Sequence, residues 1–239
     1  IFCGGLGMRL RDYSENVPKP MVPIGNRPIM WQLMKYYAHF GHKEFILCLG
    51  HNAHVIKDYF LNYDECVTND FILDCDKKPT LLKTDIDDWK ILFADTGLSS
   101  NIGMRLKAVE KYLEDDDIFL ANYADGLSNV PLPDVIDFFK KSGKTACFVC
   151  VKPTQSFHYV RLNEDGTVKG IQDTTNTGLT VNGGFFIFKK EIFNYIEEGE
   201  ELVHEPFERL IETNELVAYQ YDGYWGCMDT FKDKQDFDD

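Results

Sequence analysis

No stretch of this 239-residue chain approaches the roughly 20 consecutive apolar residues that a membrane-spanning helix requires; the longest apolar runs fall at 45–49 and 146–151. Positive charge is scarce too. With 25 Lys and Arg against 39 Asp and Glu, the net charge is -14, which argues against a surface that wraps nucleic acid or an anionic bilayer. The sequence has no Asn-x-Ser/Thr acceptor site and no signal-peptide pattern, and its seven cysteines, an odd number, are scattered through apolar runs. Reduced core thiols in a cytoplasmic protein are therefore expected. Cys147 and Cys150 lie three apart in a strand-like run, so they face opposite ways and form no redox or zinc pair. His51 and His54 lack a third ligand motif and read as surface groups. Heptads, internal repeats and Pro/Gly/Ser-rich linkers are all missing.

What is present suits one buried core: 44% of residues are hydrophobic and 14% aromatic, which at this length supports a single domain over 1–239. Ile1 to Cys3 reads as the end of a buried strand that runs straight into Gly4-Gly-Leu-Gly-Met-Arg-Leu10. Pro28 opens a helix carried by Ile29, Leu33, Met34 and Tyr37 and closed by Gly41. A strand at 44–49 and a helix through Val55, Ile56, Tyr59 and Phe60 set up strand–helix alternation. Short strand-like pieces at 71–73, 80–82 and 89–93 predict a small antiparallel insertion over about 64–95. A helix at 104–113, a strand at 118–121, a helix at 132–141 and a strand at 145–151 resume the rhythm. Strands at 159–162, 167–172 and 181–188 form an antiparallel extension. Helices near Ile192 and at 206–213, then the segment 216–221, carry the chain to Asp229. The fold class is thus α/β, a doubly wound, mainly parallel Rossmann-like sheet with ligands at the strands' carboxyl ends.

Glycines at positions 4, 5 and 7 after a strand let backbone N–H groups approach a polyphosphate. Leu10 replaces the third glycine of a dinucleotide fingerprint, and Phe138 stands where Gly143-Lys144-Thr145 would need its first phosphate-loop glycine. Arg9, Arg11, Lys19 and Arg27 form a basic island in an acidic chain, with Pro18 and Pro20 holding Lys19 extended, able to meet triphosphate oxygens.

That glycine segment, with Lys19-Pro-Met21, resembles the signature of the sugar-phosphate nucleotidyltransferases. Residues 25–31, Asp88-Trp-Lys90, Asp95-Thr-Gly97, Arg105-Leu-Lys107, Tyr123-Ala-Asp-Gly126, the stretch 181–186 and the stretch 222–230 extend the resemblance over essentially the whole chain. The segments 89–97 and 225–230 are similar to the cytidylyl branch in particular. The resemblance implies transfer of CMP from CTP to the phosphate of a sugar 1-phosphate or similar metabolite, with Mg2+ and release of pyrophosphate. It implies that Gly4, Gly5, Leu6, Gly7, Met8, Arg9, Lys19, Arg105, Tyr123 and Asp125 bind the nucleotide, with Arg9, Lys19 and Asp125 catalytic. Asp125 and Asp229 would hold Mg2+, and Asn182, Gly183, Glu205, Trp225 and His158 would meet the acceptor, mainly within about 152–188. A homo-oligomer is implied as well.

Three positions depart from the family pattern. Met8 replaces a Thr. Gln172-Asp173-Thr174-Thr175 stands in place of Glu-Lys-Pro, and Gln155-Ser156-Phe157-His158 in place of Gly-Arg-Phe-Gly. The acceptor-phosphate lysine is missing, with His158 or Lys169 as candidate replacements. Use of UTP, dTTP or GTP, a non-sugar phosphate acceptor, and a non-catalytic regulatory role stay open at this point.

Overall fold

The computed structural model describes residues 1–5, 17–153, 158–173 and 178–238. In chain order, Lys19–Met21 form a 3-10 turn, and β1 (Pro23–Ile24) and β2 (Arg27–Pro28) make a short hairpin leading into α1 (Ile29–His39). There follow β3 (Glu44–Leu49), α2 (Ala53–Leu61), the small hairpin β4 (Phe71–Leu73) and β5 (Pro79–Leu81), β6 (Lys90–Asp95), α3 (Ile102–Ala108), β7 (Ile118–Ala121) and β8 (Gly126–Ser128). Then come α4 (Leu132–Ser142), β9 (Ala146–Val151), the hairpin β10 (His158–Leu162) and β11 (Val168–Asp173), β12 (Val181–Asn182) and β13 (Phe186–Lys189). The described chain closes with α5 (Glu205–Glu212), β14 (Leu216–Tyr221), β15 (Trp225–Cys227) and α6 (Phe231–Asp238).

The main sheet is mixed. β3 and β6 pair in parallel along their whole lengths. Phe2 bridges in parallel to both Cys48 and Tyr123, so the first extended residues lie between β3 and the exit of β7. β13 runs antiparallel between β7 and β9, β12 joins the far end of β9, and β14 pairs with β9 in parallel. From the first extended residues the chain proceeds to β3 and β6 on one side, then returns to β7 on the other. Gly4 and Gly5 therefore leave the sheet at its switch point, where such folds place ligands.

Alternation along each strand sorts the core into two layers. Phe45, Leu47, Leu49, Cys147, Val149 and Ile187 face α1 and α4, meeting Leu33, Met34, Val135 and Phe139. Cys48, Ala146, Phe186 and Phe188 face the other way, onto Leu106, Ile192, Phe207 and Leu210. Helix ends follow local chemistry. The Asn101 side chain accepts from Met104 N at 2.9 Å to start α3, and α4 stops at Gly143, whose φ of 69° suits glycine.

Several expectations need correction. The strand predicted at 89–93 is not part of the insertion; β6 completes the parallel edge, because Ile91 and Phe93 pack against the sheet's core. The run 181–188 is two strands, broken where Gly184 and Phe185 adopt φ of 76° and 49°. The segment 216–221 is β14, paired with β9 over six residues. Lys19 is not extended: it opens the 3-10 turn, with Met21 N donating to Pro18 O at 2.7 Å, since proline's fixed φ suits a first helical turn. Not every thiol is in the core either; Cys3, Cys48 and Cys147 are buried, whereas Cys75 is exposed on the insertion.

Candidate active site

Three residues separated by up to 210 positions meet at one point. Lys19 Nζ donates to Asp125 Oδ2 at 2.5 Å and to Asp229 Oδ1 at 2.7 Å. The pair of strands β8 and β15 brings the carboxylates together: Cys227 lies opposite Gly126, and Met228 N donates to Asp125 O at 2.9 Å. Asp229 is then fixed by the start of α6. Asp233 Oδ2 accepts from Asp229 N at 2.9 Å and from Thr230 N at 2.7 Å, while Asp233 N donates to Thr230 Oγ1 at 3.2 Å, a capping box.

The charges are mutually adjusted. Burial by itself would lower the Lys19 pKa, but the charge of Asp125 and hydrogen bonds to Asp125 and Asp229 outweigh it, so the ammonium is held above its ordinary value. Cys227 adjoins the same pair, its Sγ 3.9 Å from Asp229 Oδ2. Burial first, then the charge of Asp125, pushes its thiol up to about 12, against the pull of Lys19. Tyr123 is pushed up to about 12 as well, by burial first and then by the charges of Glu201 and Asp125, so its phenol keeps its proton at neutral pH.

The glycine turn is held from below. Arg105, only 2% exposed, donates through Nη2 to Gly4 O at 2.8 Å and through Nη1 to Leu49 O at 3.1 Å, Thr96 Oγ1 at 2.8 Å and Gly97 O at 3.0 Å. One guanidinium thus ties the carboxyl ends of three adjacent strands. A Cβ on Gly4 would lie 2.1 Å from that guanidinium, and one on Gly50 2.6 Å, so both positions require glycine for close approach. Gly5 is exposed, with nothing within 4 Å of the place a Cβ would take. A ligand can therefore reach its backbone.

On the acceptor side, Trp225 Nε1 donates to Gly183 O at 2.8 Å, and Asn182 Oδ1 accepts from Gly184 N at 2.9 Å. Asn122 supports this turn from within, accepting from Phe185 N at 3.1 Å and donating to Tyr37 Oη at 3.1 Å. Asn182 also hydrogen-bonds Tyr123, which links this turn to the carboxylate that follows.

Placement of the expected residues is uneven. Lys19, Asp125 and Asp229 converge; Tyr123, Asn182, Gly183 and Trp225 form one connected wall; Gly4 and Gly5 lie at the adjoining switch point. Arg105 supports the turn from behind instead of facing a ligand, because its side chain is buried among backbone carbonyls. Arg27 does not join a basic island. It is 3% exposed, donates to Thr68 Oγ1 and Asp64 O, stacks 4.1 Å over the Tyr63 ring and lies 3.7 Å from Asp85. His158 pairs with Asp173 across the exposed β10–β11 hairpin at 2.9 Å, and Lys169 is exposed on the same hairpin, so neither joins the Lys19 cluster. Glu205 stands exposed in the first turn of α5. Leu6, Gly7, Met8, Arg9 and Arg11 lie outside the described residues, as do the segments 155–157 and 174–175.

Cys227 was missed by sequence reasoning, since a half-buried Cys in an apolar run gives no signal of a carboxylate neighbour. The Thr230–Asp233 spacing was legible as a helix start and would have located Asp229 beside it. A cavity of about 850 Å³ lies at the opposite end of the strands, between Phe45 and Ile118, and contains none of the expected site residues.

Comparison with known proteins places the chain in a family. Residues 1–233 match the family described as nucleotidyl transferase. The chain is 36% identical over 236 residues to the glucose-1-phosphate cytidylyltransferase of Salmonella typhi, covering 98% of this chain and 91% of that one. The corresponding Salmonella typhimurium protein shows the same identity and coverage. Among solved structures, UDP-glucose pyrophosphorylase from Acinetobacter baumannii superposes with a TM-score of 0.72 at 14% identity, covering 99% of this chain and 90% of that one.

Proposed function

This chain belongs to the nucleotidyl transferase family, and from that premise we propose that it transfers CMP from CTP to the phosphate of a sugar 1-phosphate. The observation that carries the reading is the meeting of Lys19, Asp125 and Asp229 at the sheet's switch point. The near full-length similarity to glucose-1-phosphate cytidylyltransferases favours CTP as the donor and glucose 1-phosphate as the first acceptor to test.

The two carboxylates fit a divalent cation. They already share one cationic group, the Lys19 ammonium, from two directions, and paired Asp oxygens are the donors that Mg2+ prefers. Asp125 and Asp229 would hold Mg2+, which when bound neutralises phosphate oxygens and leaving-group charge. The residues supply the remainder. Gly5 offers backbone N–H to the polyphosphate without a side chain in the way. Lys19 has an ammonium, shared with two acids, to present to phosphate oxygens. Tyr123, protonated at neutral pH, serves as a donor on the wall that Trp225, Asn182 and Gly183 complete.

In the reaction, an acceptor phosphate oxygen forms a bond to the α-phosphorus of CTP. The bond from that phosphorus to the bridging oxygen breaks in line, and its electron pair leaves with pyrophosphate. No enzyme-bound covalent intermediate is needed, so catalysis depends on positioning and charge.

The test is incubation of the chain with Mg2+ and CTP, UTP, dTTP or GTP, together with sugar 1-phosphates or a metabolite extract. Pyrophosphate release and the mass of new nucleotide-linked products are measured. CTP-dependent release with a CDP-sugar product is expected. A CDP-linked product that carries no sugar would move the acceptor to another phosphate class, in keeping with the altered segment at Gln172 and Asp173. No nucleotide-dependent release with any acceptor would overturn the reading.

A further inference from the structure

One side chain at the carboxylate pair is unused by the proposed chemistry. Cys227 Sγ and one oxygen each from Asp125 and Asp229 all lie within 4.8 Å of one another, and all three residues are half-buried. We propose that these three side chains form a mixed oxygen and sulfur site for a thiophilic divalent cation such as Zn2+, Cd2+ or Co2+, with Cys227 as the residue that sets metal preference. This rests on the reading of Asp125 and Asp229 as the metal-holding pair.

The geometry fits such a cation. Metal–oxygen bonds of about 2.0–2.2 Å and metal–sulfur bonds of about 2.3 Å put tetrahedral oxygen and sulfur donors about 3.6 Å apart, close to the 3.9 Å between Cys227 Sγ and Asp229 Oδ2. The position of the thiol is set by the backbone: Cys227 pairs with Gly126, the residue after Asp125, and lies two residues before Asp229. Positive charge already sits against the pair, because Lys19 Nζ is 2.5 Å from Asp125 and 2.7 Å from Asp229. Among the described residues, no other group of three or more His, Cys, Asp or Glu side chains is placed to share an ion.

Chemical softness separates the two classes of cation. Mg2+ takes oxygen ligands and keeps its waters, so it gains nothing from the sulfur. Zn2+, Cd2+ and Co2+ bind thiolate strongly. When such an ion enters, one metal–sulfur bond forms, the thiol proton goes to solvent, and the Lys19 ammonium gives up its carboxylate partners. Nothing is oxidised or reduced. The consequence is competition: a thiophilic ion occupies the place of Mg2+ and is held more tightly by the Cys227 thiolate, so micromolar Zn2+ or Cd2+ inhibits turnover supported by Mg2+.

The test uses the full chain without nucleotide. Co2+ is titrated in while thiolate-to-cobalt charge-transfer absorption is followed in the near ultraviolet. The band should appear in the unaltered protein, persist in Cys75→Ser, whose exposed thiol controls for adventitious binding, and vanish in Cys227→Ser. By calorimetry, the ratio of Cd2+ to Mg2+ affinity should fall by at least about 10–100-fold in Cys227→Ser, the loss already expected when only an outer-shell partner of a metal ligand is removed. A second measurement needs no variant: Zn2+, but not Mg2+, should slow alkylation of Cys227 read by peptide mass. Absence of the band in the unaltered protein, its survival in Cys227→Ser, or alkylation indifferent to Zn2+ would each overturn the proposal. These failures are distinct from failure of the underlying reading, which would appear as full Mg2+-dependent turnover in Asp125→Asn or Asp229→Asn.

Discussion

At the scale of single residues, Lys19, Asp125 and Asp229 behave as one charged unit. Replacing Lys19 by Ala leaves two carboxylates facing each other; replacing either Asp by Asn leaves the ammonium short of a partner. Each change is expected to lower kcat by a factor on the order of 10²–10³, the usual loss when one preorganised charged donor is removed. Steady-state kinetics on purified variants check this, with circular dichroism confirming the fold. Arg105 makes the contrasting prediction. Because it binds the carbonyls of Gly4, Leu49 and Gly97, Arg105→Met should destabilise the chain by at least about 1–3 kcal/mol, the cost of leaving a buried acceptor unsatisfied. Urea denaturation would show it. If stability held and only nucleotide affinity fell, Arg105 would be a ligand contact after all.

Among elements, the insertion between α2 and β6 depends on a polar clamp. Asp85 lies 3.7 Å from Arg27 Nη2 and 3.5 Å from Lys35 Nζ, and accepts from Thr68 Oγ1 at 2.5 Å and Tyr63 Oη at 3.2 Å. Burial by itself would raise its pKa, but the hydrogen bond from Thr68, the charge of Lys35 and the hydrogen bonds of Tyr63 and Asn69 together bring it below the usual Asp value. The sign follows. The carboxylate contributes stability above the unfolded pKa of about 3.9 and loses it as pH falls through the lower folded value. Hydrogen exchange over 64–88 should therefore rise at acid pH before the sheet's strands exchange, and Asp85→Asn should abolish that acid-dependent step. Early exchange in β3 or β9 would contradict this. The β8–β15 pair is equally local in effect. Trp225→Phe removes the donor to Gly183 O, a loss of about 0.5–1.5 kcal/mol, and is expected to raise KM for the acceptor more than KM for CTP.

For the whole molecule, both core layers share the same strands. Ile187 packs toward α1 and α4, and its neighbours Phe186 and Phe188 toward α5, so neither layer can be lost alone without exposing the other face of the sheet. Calorimetry should thus give one transition with equal calorimetric and van't Hoff enthalpies, in keeping with the single domain expected over 1–239. Two resolved transitions would show that the layers unfold separately. Charge acts at this scale as well. No described helix is long and apolar enough to cross a membrane, and the net charge of -14 repels polyanions over most of the surface. In the proposed site the nucleotide meets the half-buried Lys19, so raising ionic strength at constant free Mg2+ should weaken binding only modestly, because a half-buried charge is screened less than an exposed one.

Local chemistry made the backbone arrangement readable in advance. Strand and helix periodicities located β3, β7, β9, α1 and α4 within a residue or two, because alternation and helical spacing follow from which face each element buries. The glycine turn was legible from its place after a strand, whereas Lys19, Asp125 and Asp229 were picked out together by the family resemblance; local chemistry alone marks either Asp only as a turn former. Contacts between distant segments were not readable. That 89–93 extends the parallel edge, that Arg27 and Arg105 are buried supports, and that Cys227 adjoins two carboxylates all depend on pairing across tens to hundreds of residues. Such pairing is decided by which complete set of layers packs without orphaned polar groups, and no local pattern encodes it.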